Sequence, residues 1–169
     1  KIALCGRPNV GKSALFNRLI GRKKALVLDT PGVTRDVYRS NVDFDGFHFE
    51  LADLAGLETG SGRIADKSDE YASGHGRRDS RELTKLAYNA AVDYLKTADL
   101  VLFIIDARSQ LTPHDHEISQ LLRQLGKDVL LILSKVEGNV EEQAQIEASS
   151  VGWGEGLPTS AEHNLGIVT

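Results

Sequence analysis

The sequence predicts an α/β fold: a mostly parallel six-stranded sheet with one antiparallel hairpin and helices on both faces. Three observations predict it. Leu100-Val101-Leu102-Phe103-Ile104-Ile105 and Val129-Leu130-Leu131-Ile132-Leu133 are unbroken apolar runs of strand length, the pattern of strands covered on both faces. Helical periodicities alternate with these runs. Between residues 42 and 51 the chain instead alternates with period two on either side of Asp45-Gly46, a two-residue hairpin signal.

Each element follows in order. Residues 2–5 form a short buried strand and residues 13–20 the helix after it. The hairpin comes next. Leu83, Leu86, Ala87, Ala90, Ala91, Tyr94 and Leu95 then recur at helical spacing on one face. Beyond the strand at residues 100–105, Thr112-Pro113-His114-Asp115 offers an N-cap, a first-turn proline and an acidic third position. The helix it opens buries Ile118, Leu121, Leu122 and Leu125 and ends at Gly126. After the strand at 129–133, Asn139 is placed to cap a helix over residues 141–150. Leu157-Pro158-Thr159 makes the last strand, and residues 164–167 look like the lead-in to another helix. One segment breaks the order. Residues 59–80 are rich in Gly, Ser, Asp and Arg with little apolar periodicity, and read as a flexible insertion.

Composition sets outer limits. The chain has 169 residues, 41% of them hydrophobic and 26% charged, which suits one domain over residues 1–169. A net charge of −4 shows no global basic excess, so composition gives no argument for nucleic-acid binding. No apolar run approaches membrane-spanning length. Cys5 is the single cysteine. It sits in a core strand as a small hydrophobe, and the absence of an intrachain disulfide suits a cytoplasmic location. The chain opens on Lys1, directly in a strand, so a fragment of a longer chain is expected.

Chemistry concentrates at the first strand–helix junction. Gly6-Arg7-Pro8-Asn9-Val10-Gly11-Lys12-Ser13 fits G-x-x-x-x-G-K-S/T between a strand and a helix. The glycines let backbone N–H groups turn inward on phosphate oxygens, and the helix N-terminus adds its positive dipole end. Lys12 brings a full charge to the outer phosphates, and the Ser13 hydroxyl is placed for Mg²⁺. Asp53 ends the second hairpin strand, where a carboxylate can hold Mg²⁺ through its water shell. It opens Asp53-Leu54-Ala55-Gly56, a D-x-x-G whose Gly56 can bring an N–H to a γ-phosphate. Thr34, in the intervening loop, offers a hydroxyl to Mg²⁺ when a γ-phosphate is present.

A base-reading end is also visible. Ser134-Lys135-Val136-Glu137 follows a buried strand. The Glu137 carboxylate can accept from guanine N1–H and the exocyclic amine, and the Lys135 stem can cover the ring. Backbone N–H groups of Ser160-Ala161-Glu162 are placed for the guanine carbonyl. Plainer readings compete. Thr34 can be a turn residue and Asn9 a loop brace. His114 and His116, two apart in a helical turn, face different ways, which argues against a metal site. Arg22-Lys23-Lys24 and Arg77-Arg78 read as solvated loop, and Trp153 as packing near the base loop.

Taken in order, GRPNVGKS, DTPGVTRD, DLAGL, SKVEG and TSAEHNLG closely resemble the first GTPase domain of the Der (EngA) family, of the Era-like class. The resemblance covers nearly the whole chain and is weak only around residues 57–81. It implies a P-loop NTPase G domain that binds GTP or GDP with Mg²⁺ and hydrolyses GTP. It further implies a role in large ribosomal subunit assembly, with a ribosomal subunit or rRNA as partner. A second G domain and a small RNA-binding-type domain would lie elsewhere in the same chain.

Two departures stand out. The family's guanine motif begins with Asn; here Ser134 is shorter and cannot make the same amide contacts to base and phosphate loop. The segment after D-x-x-G is long for the family, which puts the 59–80 insertion in the second switch. In addition, Leu57 stands where Ras-like enzymes carry a glutamine, and leucine cannot orient water. In the Era-like class a potassium ion, held partly by the asparagine that aligns with Asn9, acts where an arginine finger would. Two alternatives to self-sufficient hydrolysis therefore stay open. One is a nucleotide-dependent binding module or scaffold with little hydrolysis on its own. The other is a P-loop protein with weakened guanine specificity.

Overall fold

Side-chain alternation along three central strands decides which helix meets which face. A computed structural model describes residues 1–21, 37–44, 46–59, 75–137, 141–163 and 165–167. Its strands are β1 (Ile2–Cys5), β2 (Val37–Phe44), β3 (Phe47–Leu54), β4 (Leu100–Asp106), β5 (Val129–Ser134) and β6 (Leu157–Pro158). Its helices are α1 (Lys12–Ile20), α2 (His75–Thr97), α3 (Pro113–Gln124) and α4 (Glu141–Ser149). The strands form one sheet in the order β2-β3-β1-β4-β5-β6. Only β2 and β3 run antiparallel; every other neighbouring pair is parallel.

Ala3, Cys5, Val101, Phe103, Ile105, Leu131 and Leu133 line one face, packed with Ala91, Tyr94 and Leu95 of α2, Ile118 and Leu122 of α3, and Ala144 and Ala148 of α4. Leu4, Leu102, Ile104 and Ile132 point the other way, onto Leu15 and Phe16 of α1. Continuous apolar runs are what a sheet buried on both sides requires, since both alternating sets must leave water. The hairpin closes as expected. Phe44 pairs with Phe47, and Gly46 takes a φ of 81°, which a glycine adopts at little cost.

Boundaries moved where backbone bonding outran the apolar pattern. The α2 helix begins at His75, so residues 75–80 of the expected insertion are helical. Once a buried face has nucleated a helix, each added residue gains a backbone hydrogen bond for one fixed residue, and polar residues extend it readily. From Glu82 onward, where side-chain burial is described, the first buried residue of α2 is Ala87, while Leu83 and Leu86 are exposed. Beyond Thr59, the rest of the expected insertion up to residue 74 lies outside the described residues, and so do Thr34, Arg22-Lys23-Lys24 and the Asn139 cap. The capping of α3 is as expected: Thr112 and Asp115 form a reciprocal capping box with a proline in the first turn. Leu165 forms an isolated antiparallel bridge to Ser160, and the stretch that a helix would need after residue 167 lies outside the described residues.

Stability should follow this burial. Leu122 is fully buried between α3 and the sheet, whereas Ile146 on α4 is 68% exposed. Leu122→Ala should lower the unfolding free energy by about 3 kcal/mol. Ile146→Ala should change it by no more than about 0.5 kcal/mol. Urea unfolding of the two variants measures both.

Candidate functional site

The sheet order places β1 between β3 and β4, so the chain leaves β1 at a point where successive connections diverge to opposite sides. In open α/β sheets the crevice beyond the carboxyl ends at such a point is where ligands bind. The loop Gly6–Gly11 fills it. At Gly6 a Cβ would lie 2.5 Å from the carbonyl oxygen of Ile104, so only glycine lets the loop press this closely on β4. Val10 is fully buried and anchors the loop in the core. Asn9 and Gly11 take φ values of 62° and 103°, turning the backbone over before α1 starts. Gly11 is the N-cap of α1 and offers no side-chain acceptor, and the first turn carries no acidic residue. The positive end of the helix is therefore left for an anion.

Side chains converge on this loop. The Lys12 ammonium, 3% exposed, donates to the Arg7 carbonyl at 2.9 Å. The Ser13 hydroxyl donates to Asp53 Oδ2 at 2.9 Å. A hydroxyl and a carboxylate side by side, both hard oxygen donors, suit Mg²⁺. Leu54 and Leu57 point into the core at 0% and 1% exposure. Leu57 thus packs rather than facing the crevice. Ala55 and Gly56 form the turn between them. A Cβ at Gly56 would meet the Ala87 carbonyl oxygen at 2.3 Å, so this turn lies tight against α2.

The segment at the end of β5 does more than was expected of it. Lys135 takes a left-handed φ of 58°, unusual for a side-chain-bearing residue. Its ammonium donates to the Asn9 carbonyl at 2.5 Å and to Asp106 Oδ2 at 2.6 Å. Asp106 pairs with Ser134 in the β4–β5 register, which is why its carboxylate reaches the next residue's side chain. Burial alone would raise the Asp106 pKa, but hydrogen bonds from Lys135 and the Arg108 N–H outweigh it and hold the carboxyl below its ordinary value. Ser134 is buried; its hydroxyl is within hydrogen-bond reach of the Val10 carbonyl and 3.0 Å from that of Ile105. The serine therefore reaches the phosphate loop through its single hydroxyl, in place of the amide contacts of the family's asparagine. It offers one proton to two carbonyl acceptors, so both cannot be fully served at once. Asp106 was missed at the sequence level; its position at the carboxyl end of a core strand was the available signal.

Val136 turns into the core at 4% exposure, leaving Glu137 at the surface. Its carboxylate lies 3.6 Å from His163 Nε2, and Glu162 gathers on the same exposed side. Ser160 is 1% exposed, and its N–H donates to the Leu165 carbonyl at 3.0 Å. That amide is committed within the protein, so of the expected trio Ala161 and Glu162 remain as the candidates for a base carbonyl. Arg18 Nε donates to the Ala161 carbonyl at 3.1 Å, tying this loop to α1. Trp153 packs on α3 and not at the base loop: its ring N–H donates to Ser119 at 2.8 Å and Arg123 stacks on it. Cys5 lies under the site, and burial pushes its thiol up to about 12, which leaves it unreactive.

These features define a P-loop GTPase G domain. The sequence matches the model of the 50S ribosome-binding GTPase family over residues 1–135, and the chain belongs to that family. It is 42% identical over 98% of its length to GTPase Der of Bartonella tribocorum, and 43% identical over 98% to GTPase Der of Bartonella quintana. The chain spans about a third of the length of these relatives, 31% in both cases. Among solved structures it resembles a point variant of Aquifex aeolicus Era bound to GDP·AlF₄⁻, with 27% identity, a TM-score of 0.68, and coverage of 97% of this chain and 52% of that one. Era in complex with MgGDPNP and part of 16S ribosomal RNA gives 26% identity and a TM-score of 0.67 with the same coverage. Among the described residues no helix is long and apolar enough to cross a membrane.

The depressed Asp106 carboxyl has a consequence for stability. A carboxyl that ionises more easily when folded adds stability above its unfolded pKa, near 3.8, and loses it as pH falls through the folded value. The destabilisation caused by Asp106→Asn should therefore be largest at neutral pH and shrink as pH falls below the ordinary carboxylate value. Denaturant titrations across that range check it.

Proposed function

We propose that this chain is a GTP-hydrolysing domain that uses Mg²⁺ and K⁺ and acts in assembly of the large ribosomal subunit. The observation that carries the reading is the pairing of Ser13 with Asp53 at 2.9 Å, beside a lysine-bearing loop at the start of α1. In this reading the loop amides from Gly6 to Ser13 cradle the phosphates, and Lys12 moves from the Arg7 carbonyl to the outer phosphates. Gly56 presents its N–H to the γ-phosphate. Mg²⁺ held by Ser13, Asp53 and Thr34 would neutralise charge building on the phosphate oxygens.

The buried Leu57 has no group to orient water, so the charge at the transition state has to come from elsewhere. Asn9 is exposed on the loop and its backbone is held by Lys135. A K⁺ at its amide oxygen would supply that charge. Glu137 and Lys135 read guanine, with the amides of Ala161 and Glu162. A segment at residues 59–80 serves as the second switch. The ribosomal role and a cytoplasmic location are supported by membership of a ribosome-binding family and by likeness to Der. Further domains of the same chain would supply the RNA contacts.

Two experiments test this. Lys12→Ala should abolish tight GDP binding in a calorimetric titration, because the phosphates lose a charged hydrogen bond; undiminished affinity would overturn the phosphate-site assignment. Hydrolysis by the unaltered protein should run faster in KCl than in NaCl at equal ionic strength, and Asn9→Ala should abolish the difference. Equal rates in the two salts would remove the cation from the mechanism. A rate near zero in both, with nucleotide bound, would favour the scaffold reading.

A further inference from the structure

The first turn of α3 touches both halves of the phosphate site. His114 Nε2 lies 2.9 Å from the carbonyl oxygen of Leu57. A carbonyl only accepts, so the ring nitrogen carries the hydrogen. The His114 side chain is 21% exposed, with Nδ1 3.5 Å from the Glu117 carboxylate. The next residue, Asp115, is fully buried and forms an ion pair at 3.2 Å with Arg7 Nε of the phosphate loop. The guanidinium of Arg7 also donates to Ser109. Asp115 Oδ2 accepts from the Thr112 N–H and hydroxyl, each at 2.8 Å. This capping box with its first-turn proline fixes the turn, so the two neighbouring contacts are mechanically joined.

We infer that His114 is a positioning residue for the D-x-x-G turn, and that the first turn of α3 couples that turn to the phosphate loop. The Leu57 side chain is locked in the core and Gly56 is pressed on α2, so the Leu57 carbonyl is where an outside group can set the turn's height. Releasing it lets the Gly56 amide drift from the position of a γ-phosphate. GDP has no γ-phosphate, so its binding does not depend on this contact. The inference rests on the nucleotide reading above.

The test compares the unaltered protein with His114→Ala and His114→Gln, the glutamine offering an N–H near the position of Nε2. Affinities for GDP and for a non-hydrolysable GTP analogue are measured calorimetrically, with thermal melting of each protein. His114→Ala should weaken the analogue about five-fold relative to GDP, the size of one neutral hydrogen bond. His114→Gln should restore most of the ratio. An unchanged ratio in His114→Ala, or parallel losses for both nucleotides that track a lowered melting temperature, would overturn the positioning role. If the unaltered protein binds neither nucleotide, the nucleotide reading itself falls, and this inference with it.

Discussion

The structure depends on holding one stretch of irregular backbone in place. A loop that turns its amides inward around phosphate must give up regular hydrogen bonding, and its residues pass through conformations that L-amino acids avoid. Asn9 and Lys135 both sit in the left-handed region, at a cost on the order of 1 kcal/mol each. Such strain persists only where the surroundings over-determine it. Here the surroundings are Val10 in the core, the Lys135 ammonium on the Asn9 carbonyl, the Ser134 hydroxyl by the Val10 carbonyl, and Arg7 against Asp115. The braces come from β5 and α3, elements far apart in sequence. Sheet register puts their ends at the same edge as the loop.

What the sequence made legible were features governed by local rules. The apolar runs announced β1, β4 and β5, the Asp45-Gly46 turn announced the hairpin, and Thr112 announced the cap of α3. The phosphate-loop motif was legible because eight contiguous residues carry it, and the position of Asp53 because it lies near the end of a recognisable strand. Asp106, Asp115 and His114 were not legible in the same way. Each acts through a partner 29 to 108 positions away, and nothing in the spacing of their neighbours reveals a register across β4 and β5 or a helix end resting on a turn. The pair His114 and His116 invited a metal reading that helical geometry argued against. The positive role of His114 appeared only when Leu57 was placed beside it.

The buried polar residues argue that this edge is kept for function. Among the buried polar residues described, Lys12, Asp53, Asp106, Asp115, Ser134, Thr159 and Ser160 lie at the carboxyl ends of strands or in the loops and first helical turns that follow them, whereas Ser40 lies within β2 and Ser119 within α3. The opposite end of the sheet has no comparable set among the described residues. Burying charges costs several kcal/mol per ion, and even a well-paired buried ion pair seldom beats an apolar replacement. A fold selected for stability alone would spread such costs or avoid them.

Ser134 shows how far the arrangement tolerates change. An asparagine at this position would bring two N–H donors and one acceptor, whereas serine brings one hydroxyl. The two carbonyls it meets, those of Val10 and Ile105, are both acceptors, so its single proton is spent inside the protein. The bracing of the loop survives, because Lys135 holds the neighbouring Asn9 carbonyl independently and is itself fixed by Asp106. A donor aimed at the base is what serine cannot add. On the proposed reading of this site, the loss falls on one neutral hydrogen bond, about 0.5–1.5 kcal/mol, and spares the Glu137 carboxylate with its two acceptor oxygens. The substitution separates two jobs that asparagine performs together, and keeps the one on which the shape of the phosphate loop depends.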